Sequence, residues 1–524
     1  MKMLLTSVFG PFGVNDTYGE KENKMELFHN QVTREQGIYS YRFNHPSHGL
    51  YFLAENVEVP TAVLDFPTLR RFKKELKQGY DYIGISFIVP NFDKAQTMAK
   101  LIRELSPKTK IILGGHGASI PEVEELIEHD YICHGEGIRF LRELFGEEPD
   151  KPIKHPLSYS SFNRQVMGVP WASNGGVLIT GVGCANKCRF CATSHFFGEY
   201  MPYLKTGQEI FDVCCEYEDR MGVTDFGVLD ENFLKSKDRA LELLEIVEKS
   251  DRHFTFAIFS SAETLGAIGD LDILVRLGVN FIWVGVESKK EVYEKNKGVD
   301  FTQLFQELKR RGISVMASAI LFLEEHDQKT IWDDIEFASM LNPDYLQFMQ
   351  LGPLPGTALY KDYLAKGKLR ADAPLQSQHG QKHIWFHHDH FTPEESDTFL
   401  RKAFCFDFQR NGPSMIRATK TSLQGYEYCL NHANETIREK ARGFKEILEM
   451  RRYFLFSSHL FSPNEKTRAM LVDIRRSYRQ LFGRTNLKTR GVSLVVALLS
   501  LKEYLRIKFL TDVRQPKTLF SQFR

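Results

Sequence analysis

The sequence predicts an α/β protein made of an N-terminal doubly wound parallel sheet, a central partial (β/α)6 barrel and a C-terminal helical region. Three observations predict this fold class. Short apolar strand patterns alternate with helical patterns over residues 1–150. The alternation resumes after residue 173 and continues for six repeats. From residue 376 onward, only helical patterns remain.

The composition is that of an ordinary globular protein. Of the 524 residues, 42% are apolar and 26% are charged, which excludes a collagen-like, coiled-coil or wholly disordered chain. The formal net charge of +1 predicts no nucleic acid partner. The N-terminus lacks the features of a secretory signal, and the longest apolar run, residues 492–501, is too short to cross a bilayer. We therefore expect a cytoplasmic protein.

Residues 1–150 are expected to form a Rossmann-like domain. Its predicted strands are residues 2–8, 57–64, 82–87, 110–113 and 131–134. An insertion of about forty residues follows the first strand, which is long for such a connection. Glycine-rich or proline-containing turns follow the strand ends, and the carboxyl edge of an open parallel sheet is where ligands bind. The sequence thus predicts a ligand site at this edge.

Residues 151–172 are rich in Pro, Ser and Asn and are predicted to be a linker. Residues 173–375 are predicted to form the barrel, with strands at 176–180, 225–229, 255–259, 281–286, 314–321 and 345–350. Residues 376–524 are predicted to be a basic helical domain, with a helix beginning at Thr392-Pro-Glu-Glu395, a capping-box sequence. The active site of a barrel lies at the carboxyl ends of its strands.

The strongest chemical signal is a cluster of three cysteines, Cys184, Cys188 and Cys191, spaced C-x3-C-x2-C directly after the first barrel strand. Thiolates are the ligands of iron–sulfur clusters, and a loop that leaves a strand can wrap three of them around one cluster. Electron-transfer clusters usually take four protein ligands. Three ligands therefore predict an iron that is left open to bind another molecule.

Two other interpretations of these cysteines stay open. A structural zinc site would need a fourth ligand and is typical of paired C-x2-C motifs, of which this sequence has no second copy. The alternative is three ordinary buried cysteines. The other five cysteines are scattered and are predicted to be core residues, namely Cys133, Cys214, Cys215, Cys405 and Cys429.

At these residues the sequence resembles the radical S-adenosylmethionine (SAM) superfamily, which has this cysteine spacing and an aromatic residue before the third cysteine, here Phe190. The resemblance implies that Cys184, Cys188 and Cys191 bind a [4Fe-4S] cluster whose open iron binds the amino and carboxylate groups of SAM. It also implies that one electron from the cluster cleaves SAM to methionine and a 5′-deoxyadenosyl radical, which takes hydrogen from an unactivated carbon.

Further SAM contacts are implied at the ends of later barrel strands. The acidic segment containing Asp230 and Glu231 resembles the family motif whose carboxylate contacts the SAM amino group, and either acid could supply it. The plain alternative is a strand followed by a capped helix. The family's ribose-binding region is implied at Ser260, Ser261, Glu287 and Ser288. Of these, Glu287 is favoured, and a charge at the end of an apolar strand requires a partner.

A Rossmann-like domain before such a barrel resembles the cobalamin-binding class of the superfamily, which includes hopanoid methylases and the anaerobic magnesium-protoporphyrin ester cyclase. Glycine-rich turns allow close backbone approach to a large flat ligand. Cobalamin contacts are therefore implied at Gly114, Gly115, Gly117, Gly135, Glu136 and Gly137. No D-x-H-x-x-G motif is present, so no histidine is supplied as a lower cobalt ligand. Retention of the fold after loss of the cofactor is the alternative.

Two features of the C-terminal region have open interpretations. Four histidines beside an acid could hold a metal, but their spacing favours a polar loop; they are His383, His387, His388 and His390. Residues 465–524 carry 14 Lys or Arg against 4 Asp or Glu. The basic helix predicted at residues 494–510 could make peripheral contact with an anionic membrane, or it could be a solvated face of a helical bundle.

We therefore expect a radical SAM enzyme that functionalises an unactivated carbon by cobalamin-dependent methyl transfer. Radical ring or carbon–carbon bond formation without methyl transfer is an alternative. A non-catalytic metal-binding module at a membrane is another. The 41 phenylalanines suit a small hydrophobic substrate such as a lipid. The resemblance also implies an electron donor, either a reductase or a flavodoxin or ferredoxin.

Overall fold

A computed structural model describes residues 1–20, 26–171, 175–290, 293–510 and 513–523. The strands of the N-terminal region are β1 (Met3–Ser7), β2 (Arg42–Asn44), β3 (Thr61–Asp65), β4 (Tyr82–Ser86), β5 (Lys110–Gly114) and β6 (Tyr131–Ile132). Its helices are α1 (His48–Glu55), α2 (Leu69–Leu76), α3 (Phe92–Leu105), α4 (Val123–Leu126) and α5 (Gly137–Phe145).

The N-terminal sheet is doubly wound. Its parallel strands follow the order β3-β1-β4-β5-β6. Successive residues of β1 point to opposite faces, so Leu4 packs with α2 and α3 while Leu5 packs with α1 and α5. Because both faces are covered, the central residues of these strands are apolar. The predicted Rossmann-like sheet is confirmed.

The predicted linker is structured. It contains β7 (Phe162–Val166) and β8 (Val169–Pro170), which form a hairpin, and β7 pairs antiparallel with β2. The two turn residues, Met167 and Gly168, both have positive φ, as tight hairpins require. Met167 is buried in the core that the C-terminal helices share. Tertiary packing thus orders a segment whose composition predicted a linker, and residue 172 lies outside the described residues.

The central region has strands β9 (Gly176–Leu178), β10 (Gly181–Val182), β11 (Met201–Pro202), β12 (Asp225–Val228), β13 (Thr255–Phe259), β14 (Val279–Glu287), β15 (Ser314–Leu321) and β16 (Tyr345–Gln350). Its helices are α6 (Ala192–Phe197), α7 (Gly207–Met221), α8 (Lys237–Lys249), α9 (Ala262–Ile268), α10 (Asp272–Leu277), α11 (Phe301–Arg310), α12 (Thr330–Met340) and α13 (Ala358–Ala365).

Six of these strands form an open parallel sheet in the order β9-β12-β13-β14-β15-β16, which is the predicted partial barrel. Residues 262–277 form two helices, α9 and α10, rather than one continuous helix. Gly269, with φ of 77°, separates them, because a left-handed residue ends an α-helix. Strands β10 and β11 pair antiparallel, and α6 lies between them along the chain.

The C-terminal region has helices α14 (Pro393–Asn411), α15 (Ser414–Leu430), α16 (Glu435–Arg451), α17 (Leu455–Leu460), α18 (Glu465–Phe482) and α19 (Leu487–Phe509), followed by strand β17 (Leu519–Phe523). The predicted capping box of Thr392 and Glu395 is present. Short 3-10 or π turns lie at Phe28–Val32, Gly37–Tyr39, Val89–Asn91, His116–Ser119, Phe233–Lys235, Glu294–Asn296, Leu375–Ser377 and Arg452–Phe454.

The prediction of an entirely helical region over residues 376–524 is wrong at its end. Strand β17 pairs antiparallel with β3 and becomes the edge strand of the N-terminal sheet. Phe523 packs against the core on one face of that sheet. Among the described helices, none combines the length and apolarity needed to cross a membrane.

Candidate active site

The three cysteines lie on one loop between β10 and α6, and all three are half-buried. Gly183 precedes the first of them with φ of 80°, and a Cβ at this position would collide with the backbone of Glu199. The loop closes on itself through the amide of Cys191, which donates to the carbonyl of Cys188 at 3.0 Å. The glycine in the motif is thus required by the sharp turn that starts the loop.

The thiols share one electrostatic environment. Burial raises the pKa of Cys184 and of Cys188, and the charge of the neighbouring cysteines raises it further. In the described part of the chain, no three Cys, His, Asp or Glu side chains converge as ligands of a single metal ion do. In an iron–sulfur cube each thiolate binds a different iron, so the ligands need not converge on one point.

Lys295, which the sequence analysis did not single out, lies beside Glu287 near the cysteine loop. Its Nζ lies 2.6 Å from Oε1 of Glu287. Burial lowers the pKa of Lys295, but the charge of Glu287 and then those of Cys188 and Cys191 raise it by more, so the net shift is upward. Glu287 ends β14 with φ of 62°, and its carboxylate folds back over Gly285, where a Cβ would collide with it. Lysine has no recognisable spacing to the cysteines along the chain. The sequence indicated only one member of this pair, Glu287, because a charge at the end of an apolar strand requires a partner of opposite charge.

The two acids after β12 have different environments. Asp230 is 2% exposed, and its Oδ2 accepts from Thr180 at 2.7 Å, Tyr200 at 2.7 Å and Arg239 at 2.8 Å. The hydrogen-bonding capacity of Asp230 Oδ2 is therefore used within the protein. Glu231 is exposed, and its charge acts on the neighbouring Cys184. Desolvation by the surrounding protein, followed by the charge of Asp230, raises the pKa of Glu231, and a hydrogen bond with Thr193 lowers it in part. Of the two acids, Glu231 is thus the one that solvent reaches.

The serines predicted near the SAM ribose are partly engaged with the protein. Ser261 shares its hydroxyl with Thr264 at 2.6 Å and accepts from Asn232 Nδ2 at 3.0 Å. Ser260 is buried beside the same asparagine, with its Oγ 3.5 Å from Asn232 Oδ1. Ser288 is buried and accepts from the amide of Lys290 at 3.2 Å. These side chains tie together the ends of neighbouring barrel strands.

A cavity of about 490 Å³, here called the barrel cavity, opens beside the cysteine loop. Phe190 of the cysteine loop and Glu287 line it, as do residues 88–90 of the N-terminal domain. Much of the rest of the wall comes from the ends of β15 and β16 and from the segment that carries Trp385. This cavity lies at the carboxyl ends of the barrel strands, where the fold predicts the active site.

A second cavity of about 350 Å³, here called the sheet cavity, lies between the N-terminal sheet, α1, α5 and the loop region of the barrel. Five of the six predicted cobalamin contacts line it: Gly114, Gly115, Gly135, Glu136 and Gly137. Gly117 does not, because its role is packing, and a Cβ there would collide with the ring of Phe87. The carboxylate of Glu136 is engaged as the N-cap of α5 and accepts from Tyr203 at 2.8 Å.

The sheet cavity contains a buried histidine that the sequence analysis did not single out. His48 lies at the start of α1, and neither of its ring nitrogens has a hydrogen-bond partner among the described residues. Burial lowers the pKa of His48 to about 3, so the ring is neutral at physiological pH. The two cavities adjoin, because His116 and Phe196 line both of them.

The histidine-rich segment forms no metal site in the described structure. His383 contacts the carbonyl of Pro393 at 2.8 Å, and His388 contacts the carbonyl of Leu323 at 2.9 Å. His387 and His390 are exposed. The histidines therefore fasten a polar loop to its surroundings.

Comparison with known proteins agrees with this geometry. Residues 178–338 match the radical SAM superfamily. An uncharacterized methyltransferase of Pyrococcus horikoshii is 23% identical over 62% of this chain and 78% of its own length. Bacteriochlorophyllide d C-8(2)-methyltransferase of Chlorobaculum tepidum is 25% identical over 55% of this chain and 69% of its own length. The structure of the radical SAM methyltransferase TsrM of Kitasatospora setae superposes with a TM-score of 0.51 at 16% identity, covering 86% of this chain and 99% of that one.

These matches define the class. The chain contains a radical SAM domain and is an enzyme, which overturns the alternative of a non-catalytic module. These relatives are methyltransferases, so the chain is similar to radical SAM enzymes of that kind.

Proposed function

We propose that this enzyme is a cobalamin-dependent radical SAM methyltransferase for a small hydrophobic substrate. The observation that carries the proposal is the contact between the two cavities. One adjoins the cysteine loop, the other lies at the glycine-lined edge of the N-terminal sheet, and they share the side chains of His116 and Phe196. A substrate in the first cavity would thus lie within reach of a methyl donor in the second.

Cys184, Cys188 and Cys191 would hold a [4Fe-4S] cluster, and the glycine-lined sheet cavity with the unpartnered nitrogens of His48 fits a part of cobalamin. When bound, these groups supply the electron that cleaves SAM and the methyl group that is transferred. The protein residues bind and shield. Glu231 is positioned to accept a hydrogen bond from the SAM amino group, and Lys295 could pair with the SAM carboxylate beside Glu287.

The apolar residues of the barrel cavity would exclude water from the radical and from the carbon that is attacked. This wall supports a hydrophobic substrate. A flavodoxin, a ferredoxin or a reductase would donate the electron.

Anaerobic reconstitution of the full chain with iron, sulfide and hydroxocobalamin tests the proposal. We expect about four irons and one bound cobalamin per chain, with 5′-deoxyadenosine and S-adenosylhomocysteine formed from SAM on reduction. Formation of 5′-deoxyadenosine without cobalamin binding would instead support ring or carbon–carbon bond formation.

A substitution in the sheet cavity makes the cobalamin test specific. Gly114 has no positive φ, and a Cβ there would meet only the Cβ of Cys133 at 3.8 Å. Gly114→Leu should therefore fold and project its side chain into the cavity. We expect this variant to keep its iron and to lose bound cobalamin. Gly79 lies outside the cavity, but Gly79→Leu is an unsuitable control because the φ of Gly79 is 69°. Gly443→Leu on α16 is a better control, since Gly443 lies outside both cavities and nothing lies within 4 Å of its Cβ position.

We also propose that α19 makes peripheral contact with anionic membranes. The helix buries a face that includes Ser493, Ser500 and Glu503, and it exposes leucines such as Leu494 and Leu498. Large exposed apolar faces mark interaction surfaces, and basic residues on the same helix favour anionic lipid. Sedimentation with phosphatidylglycerol vesicles should therefore exceed sedimentation with phosphatidylcholine vesicles. Leu494→Glu together with Leu498→Glu should abolish the difference.

A further inference from the structure

The barrel cavity is apolar over much of its wall but has a polar corner. Ile88, Phe190, Ile320 and Trp385 belong to the apolar wall. Gln350, the last residue of β16, and His379 line the polar corner. A volume of about 490 Å³ is within the range of small-molecule sites. In such sites a few fixed polar groups determine which ligand binds.

Gln350 presents a carbonyl oxygen whose direction is fixed. The side chain is 3% exposed, and its Nε2 donates to the carbonyl of Lys382 at 2.7 Å. Its backbone amide donates to the carbonyl of Gly380 at 3.1 Å. Turning the amide over would bring Oε1 against the Lys382 carbonyl, which is also an acceptor. Oε1 is buried and lacks a hydrogen-bond partner within the described part of the chain.

His379 lies in the segment that covers the end of β16. Both of its ring nitrogens are buried and unpartnered among the residues that the structure describes. Burial lowers the pKa of His379 to about 3, so the neutral ring offers one donor and one acceptor. The segment is held in place by Gln381, whose Nε2 donates to the carbonyl of Phe348 at 3.2 Å. The polar corner is therefore rigid before any ligand binds.

These groups discriminate between ligand chemistries. A buried acceptor without a donor costs about 1–3 kcal/mol, and a ligand N–H or O–H would remove that cost. A ligand carboxylate would be repelled by the Gln350 oxygen. A ligand cation would lack a free counter-charge, because Glu287, which lines the cavity, is paired with Lys295.

We propose that the barrel cavity binds a substrate with an apolar body and a neutral N–H or O–H group, which donates a hydrogen bond to Oε1 of Gln350. This inference rests on the proposed function only in taking the barrel cavity as the substrate site. Gln350 is thus a specificity-determining residue of this cavity.

Two probes that differ in one donor test the proposal. Equilibrium dialysis of the anaerobically reconstituted full chain measures the dissociation constants of 2-naphthol and 2-methoxynaphthalene. We expect 2-naphthol to bind about tenfold more tightly, because only its hydroxyl can donate to Gln350. In Gln350→Met, which keeps the side-chain length, the preference should fall to about one. Gln328→Met, at an exposed glutamine near Glu395, should keep the preference.

Equal binding of the two probes by the unmodified enzyme would overturn the proposal, and so would an unchanged preference in Gln350→Met. If that variant does not fold, carbazole and N-methylcarbazole repeat the test on the unmodified enzyme, and equal binding of this pair is also contrary to the proposal. The cleavage of SAM is measured separately. A naphthol preference without SAM cleavage would contradict the proposed function and leave the polar corner supported.

Discussion

His116 stacks on Phe196, with ring centroids 4.6 Å apart and ring planes at 24°. The two rings come from separate parts of the chain, since His116 follows β5 of the N-terminal sheet and Phe196 lies in α6, behind the cysteine loop. Both side chains line the barrel cavity and the sheet cavity. The stacked pair is therefore part of the boundary across which the proposed methyl transfer would occur.

Removing one ring of this pair should open the sheet cavity. We expect His116→Ala to retain about tenfold less cobalamin after gel filtration, because the stacked ring contributes to the cavity wall. His116→Phe keeps a ring that can stack on Phe196 and should retain cobalamin as the unmodified enzyme does. Absorbance of the purified protein measures the retained cofactor. Equal retention by the alanine variant would show that the wall has no part in binding.

Cys188→Ala should abolish the binding of iron and the cleavage of SAM. A cluster held at three positions cannot be held stably at two, so the iron content should fall from about four per chain to near zero. Cys215→Ala is the matched control, because Cys215 is a half-buried free cysteine in α7, away from the loop. Iron analysis and chromatography of 5′-deoxyadenosine provide the readout. SAM cleavage by Cys188→Ala would contradict the assignment of the cluster.

Asp230 and Glu231 should respond differently to the loss of charge. Asp230→Asn breaks a buried ion pair with Arg239, which typically costs about 3–5 kcal/mol, so the apparent melting temperature should fall. Glu231→Gln should leave the melting temperature unchanged and weaken SAM binding about tenfold, because a charged acceptor is replaced by a neutral one. Thermal unfolding and equilibrium dialysis with SAM separate the two effects. The reverse pattern would assign SAM binding to Asp230.

Acid should destabilise the protein through its buried histidines. Burial lowers the pKa of His48 to about 3 in the folded state, whereas an unfolded histidine titrates near pH 6.5. The unfolded state therefore binds the proton first, and stability falls as the pH falls from about 6.5 to about 3. At about pH 5 the loss from this residue is about 2 kcal/mol.

The variant His48→Phe isolates that contribution. Its apparent melting temperature should fall less between about pH 7 and pH 5 than that of the unmodified protein, because Phe has no proton to gain. His253→Phe, at an exposed histidine, should leave the pH dependence unchanged. An equal fall in all three proteins would mean that His48 does not remain neutral on acidification.

Much of the fold could be predicted because its signal is local. The six barrel strands and the five parallel strands of the N-terminal sheet are apolar runs between helical patterns, and such runs show their period in one segment of sequence. The hairpin of β7 and β8 could not be predicted in this way. It depends on the burial of Met167 against helices that lie more than two hundred residues further along the chain.

The candidate site divides along the same line. The cysteine motif is local, so its residues could be identified from their spacing in the sequence. Lys295 was missed because nothing in its sequence neighbourhood distinguishes it from other lysines, and only the folded chain brings it beside Glu287. The choice between Asp230 and Glu231 was also beyond the sequence. It depends on Thr180, Tyr200 and Arg239, which saturate one acid and leave its neighbour accessible.

Strand β17 has a consequence for how the chain is made. Until residues 519–523 have left the ribosome, the outer edge of β3 presents unsatisfied amide and carbonyl groups to the crowded cell. The N-terminal sheet is therefore completed last. A truncation that removes only β17 would keep every proposed ligand-binding residue but would leave the edge of β3 unpaired and able to pair with other chains.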